Sequence, residues 1–185
     1  MKPLLEDSVH ISKDEIVRAT RYSYSLTRNV ETGTSIRRLM DAWDSAKQQN
    51  QQAPFTSDFE SVQPETDNLM RVDVRSSNPF DFRVLTGNEE QVTTIISMRQ
   101  IYQKGASIVR KQLFDRLLRV RETVEPSYEC ILYRKRIEQD WNELVFARLM
   151  VPTLGSDQEP EYVFSLTRVL GAPTRLYSIT AEFEL

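Results

Sequence analysis

Few side chains in this sequence stand where they could bind or react, and the most suggestive are charges set inside apolar runs. Arg148 interrupts Leu144, Phe146 and Met150 on one face of an alternating run, and Arg83 stands beside Phe80 and Phe82. A guanidinium in such surroundings can fork onto the oxygens of an anionic ligand, pair with an internal carboxylate, or snorkel at the edge of a sheet with its stem against apolar neighbours. Isolated charges inside cores are rare and usually paired, which favours the snorkelling arginine. If a small ligand is bound, Arg83, Tyr102, Phe146 and Arg148 are the residues expected to line its cavity, although an aromatic at Tyr102 is more often ordinary packing.

Catalytic constellations are harder to assemble. The single histidine, His10, precedes the apolar runs that would form a core, so a Ser–His or Cys–His pair and an axial haem ligand all lack their imidazole. The single cysteine, Cys130, sits in the strand-like run Tyr128-Glu129-Cys130-Ile131-Leu132, where it reads as a small apolar filler. One cysteine makes neither an intrachain disulfide nor a multi-cysteine metal site, which suits a reducing cytoplasm. Asp14-Glu15, Glu89-Glu90 and Glu182 with Glu184 fall at helix starts or exposed alternating positions, where dipole and solubility roles suffice. The five glycines form no phosphate-cradling series. Neither catalysis nor a cofactor or metal is expected. A small-molecule enzyme with an unrecognised site stays as an alternative.

A net charge of −3 over 185 residues gives no global attraction to nucleic acid or acidic membranes. The local exception is Arg99, Lys104, Arg110, Lys111, Arg116, Arg119 and Arg121, followed by Arg134-Lys135-Arg136. A nucleic-acid-associated protein using the basic helix 104–121 is therefore a second alternative. Helical spacing scatters these residues around the axis, however, and a solvated face explains them more simply. No window approaches the roughly 20 apolar residues of a membrane span, and the first ten residues lack the apolar core of a signal peptide. A soluble cytoplasmic protein is expected.

Periodicity sets the helices and strands that would hold these residues in place. Ser12-Lys13-Asp14-Glu15 matches a capping box and predicts a helix over 13–28, which Gly33 breaks. From Ser35 a second helix carries Ile36, Leu39, Met40, Trp43 and Ala46 at helical spacing, and residues 48–64, rich in Gln, Asn, Ser and Pro, read as a loop. Met70, Val72 and Val74 alternate with Arg71 and Asp73 as a half-buried strand, and 80–85 returns after a turn. Helices are expected over 89–103 and from Val109 to Val124, closed by Pro126, then three strand-like runs over 127–137, 143–151 and 161–170. The run from Tyr177 to Phe183 either adds an edge strand or docks loosely. With 39% apolar residues the chain can bury one substantial core with an appendage, divided as a helical extension and loop over 1–64, a domain over 65–172 and a tail over 173–185.

These segments also carry a family resemblance. Leu39-Met40-Asp41-Ala42-Trp43-Asp44, Pro54 and Asp58-Phe59, then Leu69 to Val74 and Asp81-Phe82-Arg83-Val84-Leu85-Thr86-Gly87, with Ala147-Arg148-Leu149-Met150-Val151-Pro152 and an acidic turn at Asp157, resemble a bacterial single-domain PAS-like family over roughly residues 36 to 170. The resemblance implies an α/β fold with a PAS-like five-stranded antiparallel sheet, flanking helices and an N-terminal helical extension. It also implies a stand-alone sensory or regulatory domain that binds a small ligand or docks a signalling partner, with no catalytic residue to carry over. The apolar stripe Ile36, Leu39, Met40 and Trp43 needs a cover, and a symmetric homodimer using that patch twice is expected.

Overall fold

The computed structural model describes residues 6–27, 33–48, 51–62, 69–86, 94–97, 107–137 and 139–171. Among them eight strands form one sheet: β1 (Glu6–Ile11), β2 (Glu15–Tyr22), β3 (Leu69–Asp73), β4 (Arg83–Thr86), β5 (Thr94–Ser97), β6 (Ser127–Ile137), β7 (Asp140–Leu154) and β8 (Pro160–Gly171). Every neighbouring pair is antiparallel, and the order across the sheet is β1-β2-β6-β7-β8-β3-β4-β5. The described helices are α1 (Tyr24–Thr27), α2 (Gly33–Ala46), α3 (Thr56–Glu60) and α4 (Ile108–Thr123).

This corrects the expected fold. A five-stranded PAS-like sheet with an N-terminal helical extension is replaced by an eight-stranded, mostly β architecture, because two segments read as helical are strands and Glu6–Ile11, given no element in the sequence, is a third. Residues 15–22, inside the expected helix 13–28, are β2, and 94–97, inside the expected helix 89–103, are β5. Glu15 does donate its N–H to Ser12 Oγ at 3.1 Å, as a capping box requires, but Ser12 N–H also donates to Glu15 O at 2.8 Å, and the pair closes a hairpin loop. Burial and pairing then decide for the strand: Glu15, Val17 and Ala19 are buried at period two, and β2 pairs with β6 from Glu15↔Lys135 to Tyr22↔Tyr128. Residues 1–64 are thus no separable extension, since β1 and β2 form one side of the sheet. The tail 173–185 lies outside the described residues.

The later elements keep closely to the sequence pattern. Ser107 Oγ accepts from Arg110 N at 3.3 Å to start α4, and Val124 ends it in the left-handed region with its N–H on Val120 O. Beyond it, β6, β7 and β8 form the expected meander. Helices cover both faces. Ile36, Leu39, Met40 and Trp43 of α2 and Phe59 of α3 pack with Tyr128, Leu149, Val151, Phe164 and Leu166 on one face. On the other, Leu113, Phe114, Leu117 and Val120 of α4 pack with Val72, Val84, Met150 and Val163, and the start of α4 with Val17, Ile131 and Phe146.

The homodimer stripe is therefore spent inside the chain. Ile36, Leu39, Met40 and Trp43 are all buried, and Trp43 Nε1 donates to Pro152 O at 2.7 Å. An amphipathic helix must cover its apolar side, and here the cover is the chain's own sheet rather than a second subunit.

Candidate functional site

On the α4 face, antiparallel pairing places Arg21 of β2 opposite Glu129 of β6, Glu129 opposite Arg148 of β7, and Arg148 opposite Thr167 of β8. Directly opposed residues share a face, so one carboxylate stands in a cross-strand row between two arginines. From above, α4 contributes Gln112 and Arg116. Arg148 Nη2 donates to Glu129 Oε2 at 2.8 Å and lies 3.5 Å from Gln112 Oε1, while Arg116 pairs with Glu129 Oε1. Side-chain exposure is 1% at Glu129, 5% at Arg148 and 12% at Arg116, so the cluster is withdrawn from water. One carboxylate between two buried guanidinium groups leaves an excess of positive charge, held in a region where charges interact more strongly than at the surface.

Arg148 thus takes the second of its three readings, pairing with an internal carboxylate, and β7 is an interior strand, so it is no edge arginine. Sequence reasoning missed Glu129 and Gln112 as its partners. The register of β6 against β7 is the signal that links them, and neither strand shows it alone. The other expected ligand residues are not brought together. Phe146 is buried on the same face among Val17, Ala19, Ile131 and Tyr133. Arg83 is exposed on β4, opposite Asp73. Tyr102 lies outside the described residues.

A second buried carboxylate anchors the start of α4. Glu15 Oε2 accepts the N–H of Ile108 at 2.7 Å and Oε1 accepts the Tyr133 hydroxyl at 3.0 Å. The residue expected to begin a helix thereby holds the beginning of another helix, α4, onto the sheet. Among the described residues the basic helix presents no continuous cationic stripe, Lys104 lying outside them: Arg116 turns inward to Glu129, and Arg121 donates to Val74 O and lies over Phe82.

Among the described residues, the opposite face is covered over only part of its extent. Rows Ile11–Ile16–Arg134–Glu143, Val9–Arg18–Leu132–Val145 and Arg136–Trp141 lie on the α2 side of β1, β2, β6 and β7. Val9, Ile11 and Trp141 are 55%, 72% and 47% exposed. Arg168, opposite Ala147, is also exposed there. Arg18 pairs with Asp7 at 3.6 Å and Arg134 with Glu143 at 2.6 Å, while neither Arg136 nor Arg168 pairs with a carboxylate among the described residues. Large apolar side chains and guanidinium groups are thus exposed together on this surface.

Two phenols on this side are perturbed. Burial, then the hydrogen bond and charge of Cys130, holds Tyr128 well above the ordinary tyrosine range, with Cys130 Sγ 3.7 Å from its hydroxyl. Burial likewise raises Tyr22, whose ring lies 5.7 Å from that of Tyr128. Among the described residues no group of three or more His, Cys, Asp or Glu side chains could hold a metal ion, and no helix is long and apolar enough to cross a membrane. No protein-family model, curated protein or solved structure matches the chain.

Proposed function

We propose that the chain is a regulatory interaction module, working in the cytoplasm, that docks an acidic, apolar-bearing segment of a partner protein on the bare half-face of β1, β2, β6 and β7. The observation that carries this reading is the exposure of Val9, Ile11 and Trp141 among Arg18, Arg134, Arg136 and Arg168 on one continuous sheet surface. Among the described residues, four guanidinium groups there meet two carboxylates, Asp7 and Glu143, so that part of the face is net positive although the chain is net negative. A second copy would bring the same excess against itself. A segment alternating carboxylates with apolar side chains would bury the aliphatic and indole groups while neutralising the arginines.

The test is fluorescence anisotropy of a short labelled peptide alternating Glu with Ile and Phe. Saturable binding that weakens with salt, because exposed charges are screened over about 8 Å at physiological ionic strength, and that is lost in Arg136→Glu/Arg168→Glu, is the expected result. Binding retained in that variant, or absent in the unaltered protein, would overturn the reading. Equal or tighter binding of a single-stranded oligonucleotide would replace it with nucleic-acid recognition.

A further inference from the structure

β8 ends at Gly171, which pairs with Val145 of β7 and so prolongs the row Val9–Arg18–Leu132–Val145 on the proposed docking face. The chain passes out of the described residues at the margin of that face. Two residues on, Pro173 has no N–H with which to extend the β7–β8 ladder. Beyond it, residues 177–185 alternate strictly: Tyr177, Ile179, Ala181, Phe183 and Leu185 are apolar, and Ser178, Thr180, Glu182 and Glu184 between them are polar. Extended, such a segment would have one apolar side and a second side bearing two carboxylates.

The adjoining face has the complementary composition. Among the described residues, Val9 and Ile11 are exposed there, Leu132 and Val145 are half-buried, and Arg18, Arg134, Arg136 and Arg168 stand exposed around them. With Asp7 and Glu143 those four arginines leave two positive charges, and residues 177–185 carry two carboxylates and no cation. The reach suffices. Six residues from Gly171 to Tyr177 can span about 20 Å, and the four strand spacings from β8 to β1 come to about 19 Å. We infer that residues 177–185 are the resident occupant of this face, with their apolar side on Val9, Leu132 and Val145 and with Glu182 and Glu184 toward the arginines, and that a partner binds by displacing them. The inference rests on the docking reading above and adds its regulation. A segment linked to its site meets it at an effective concentration of about 1 mM, so an intrinsic Kd of about 0.1 mM keeps the face about nine-tenths filled and weakens a partner about tenfold.

Two measurements on the full chain test this. Nuclear Overhauser cross-peaks from the Phe183 ring or the Ile179 methyls to the methyls of Val9, Leu132 or Val145 are expected in the unaltered protein. They should vanish in Ile179→Ser/Phe183→Ser, which leaves the charge as it is. By fluorescence anisotropy, that variant should bind the labelled peptide alternating Glu with Ile and Phe about tenfold more tightly than the unaltered protein does. An unchanged melting midpoint checks that the variant folds. Absent cross-peaks, or a measurable peptide affinity equal in the two proteins, would overturn the inference; the docking reading falls separately, only if neither protein binds the peptide. Cross-peaks that fade on tenfold dilution would seat the segment on a second copy and overturn the intramolecular occupant.

Discussion

Glu129→Gln is the sharpest test of how the buried cluster contributes. The side chain keeps its shape and loses its charge, leaving Arg148 and Arg116 facing each other at 5% and 12% exposure. At the 2.8 Å separation of Glu129 and Arg148, an effective dielectric near 20 gives an attraction of about 6 kcal/mol. Desolvation of the ions, several kcal/mol each, offsets most of that, so the intact cluster contributes little net stability. Breaking it is another matter, because the desolvation cost stays and the attraction goes, for a loss of about 3–5 kcal/mol. Glutamine keeps one acceptor for Arg148, which points to the lower end. At roughly 2–4 °C per kcal/mol for a chain of this size, the midpoint should fall by about 6–12 °C. Urea and thermal unfolding followed by circular dichroism measure both quantities. The companion variant Arg116→Met/Glu129→Leu/Arg148→Met removes all three charges and should unfold within about 2 kcal/mol of the unaltered protein, or later. A loss under about 1 kcal/mol for Glu129→Gln would contradict this account, since it would mean that water already solvates the arginines.

The other face gives two further expected outcomes. Trp43→Phe keeps the ring in the core but strips Pro152 O of its donor, so stability should fall by about 1–3 kcal/mol; light scattering on the same samples should show an unchanged mass, and a change of mass would return α2 to a subunit interface. Tyr128 has a folded pKa raised above the ordinary 10.0, so its contribution to stability is present below that value and is lost as pH rises through the folded one. The urea midpoint should therefore drop above about pH 10, and less so in Tyr128→Phe; full ionisation of all tyrosines near pH 10 at 295 nm, with the fold intact, would rule out the shift.

The second half of the fold was legible because its signals are local. Richness in Tyr, Val, Phe, Ile and Leu over 127–137 and 161–170 sets β6 and β8, and Pro126 two residues beyond Val124 fixes the end of α4. The strand β2 was not, because a capping box and a short hairpin loop share one hydrogen bond, from Glu15 N–H to Ser12 Oγ, and differ only in what β6 offers more than a hundred residues later. Arg148 stood out in the sequence as a charge among apolar residues. Its partner Glu129 did not, because it sits between Tyr128 and Cys130 with nothing local to mark it as inward-facing. The stripe on α2 shows in the sequence that it needs a cover, but amphipathicity names no partner, and a sheet of the same chain satisfies it as fully as a second subunit.

The unequal cover of the two faces has a simple geometric origin. A helix advances about 1.5 Å per residue and a strand about 3.3 Å. The 14 residues of α2 thus span about 21 Å, against about 50 Å for the 15 residues of β7. One helix cannot cover such a strand, and α2 and α3 both sit toward its later part, over Leu149, Val151 and Leu154. On the other face the start of α4, fastened by Glu15, reaches the earlier part of β7 and seals Phe146 beneath it. No described helix does the same for Leu132 and Val145, so the α2 side keeps an apolar surface edged with arginines where the α4 side has a closed core. Sealing one face keeps β2, β6 and β7 in register, and that register holds Val9, Arg18, Leu132 and Val145 in a single row on the other. The buried Glu129 cluster and the bare face are thus two sides of the same strands, the first fixing the positions that the second presents.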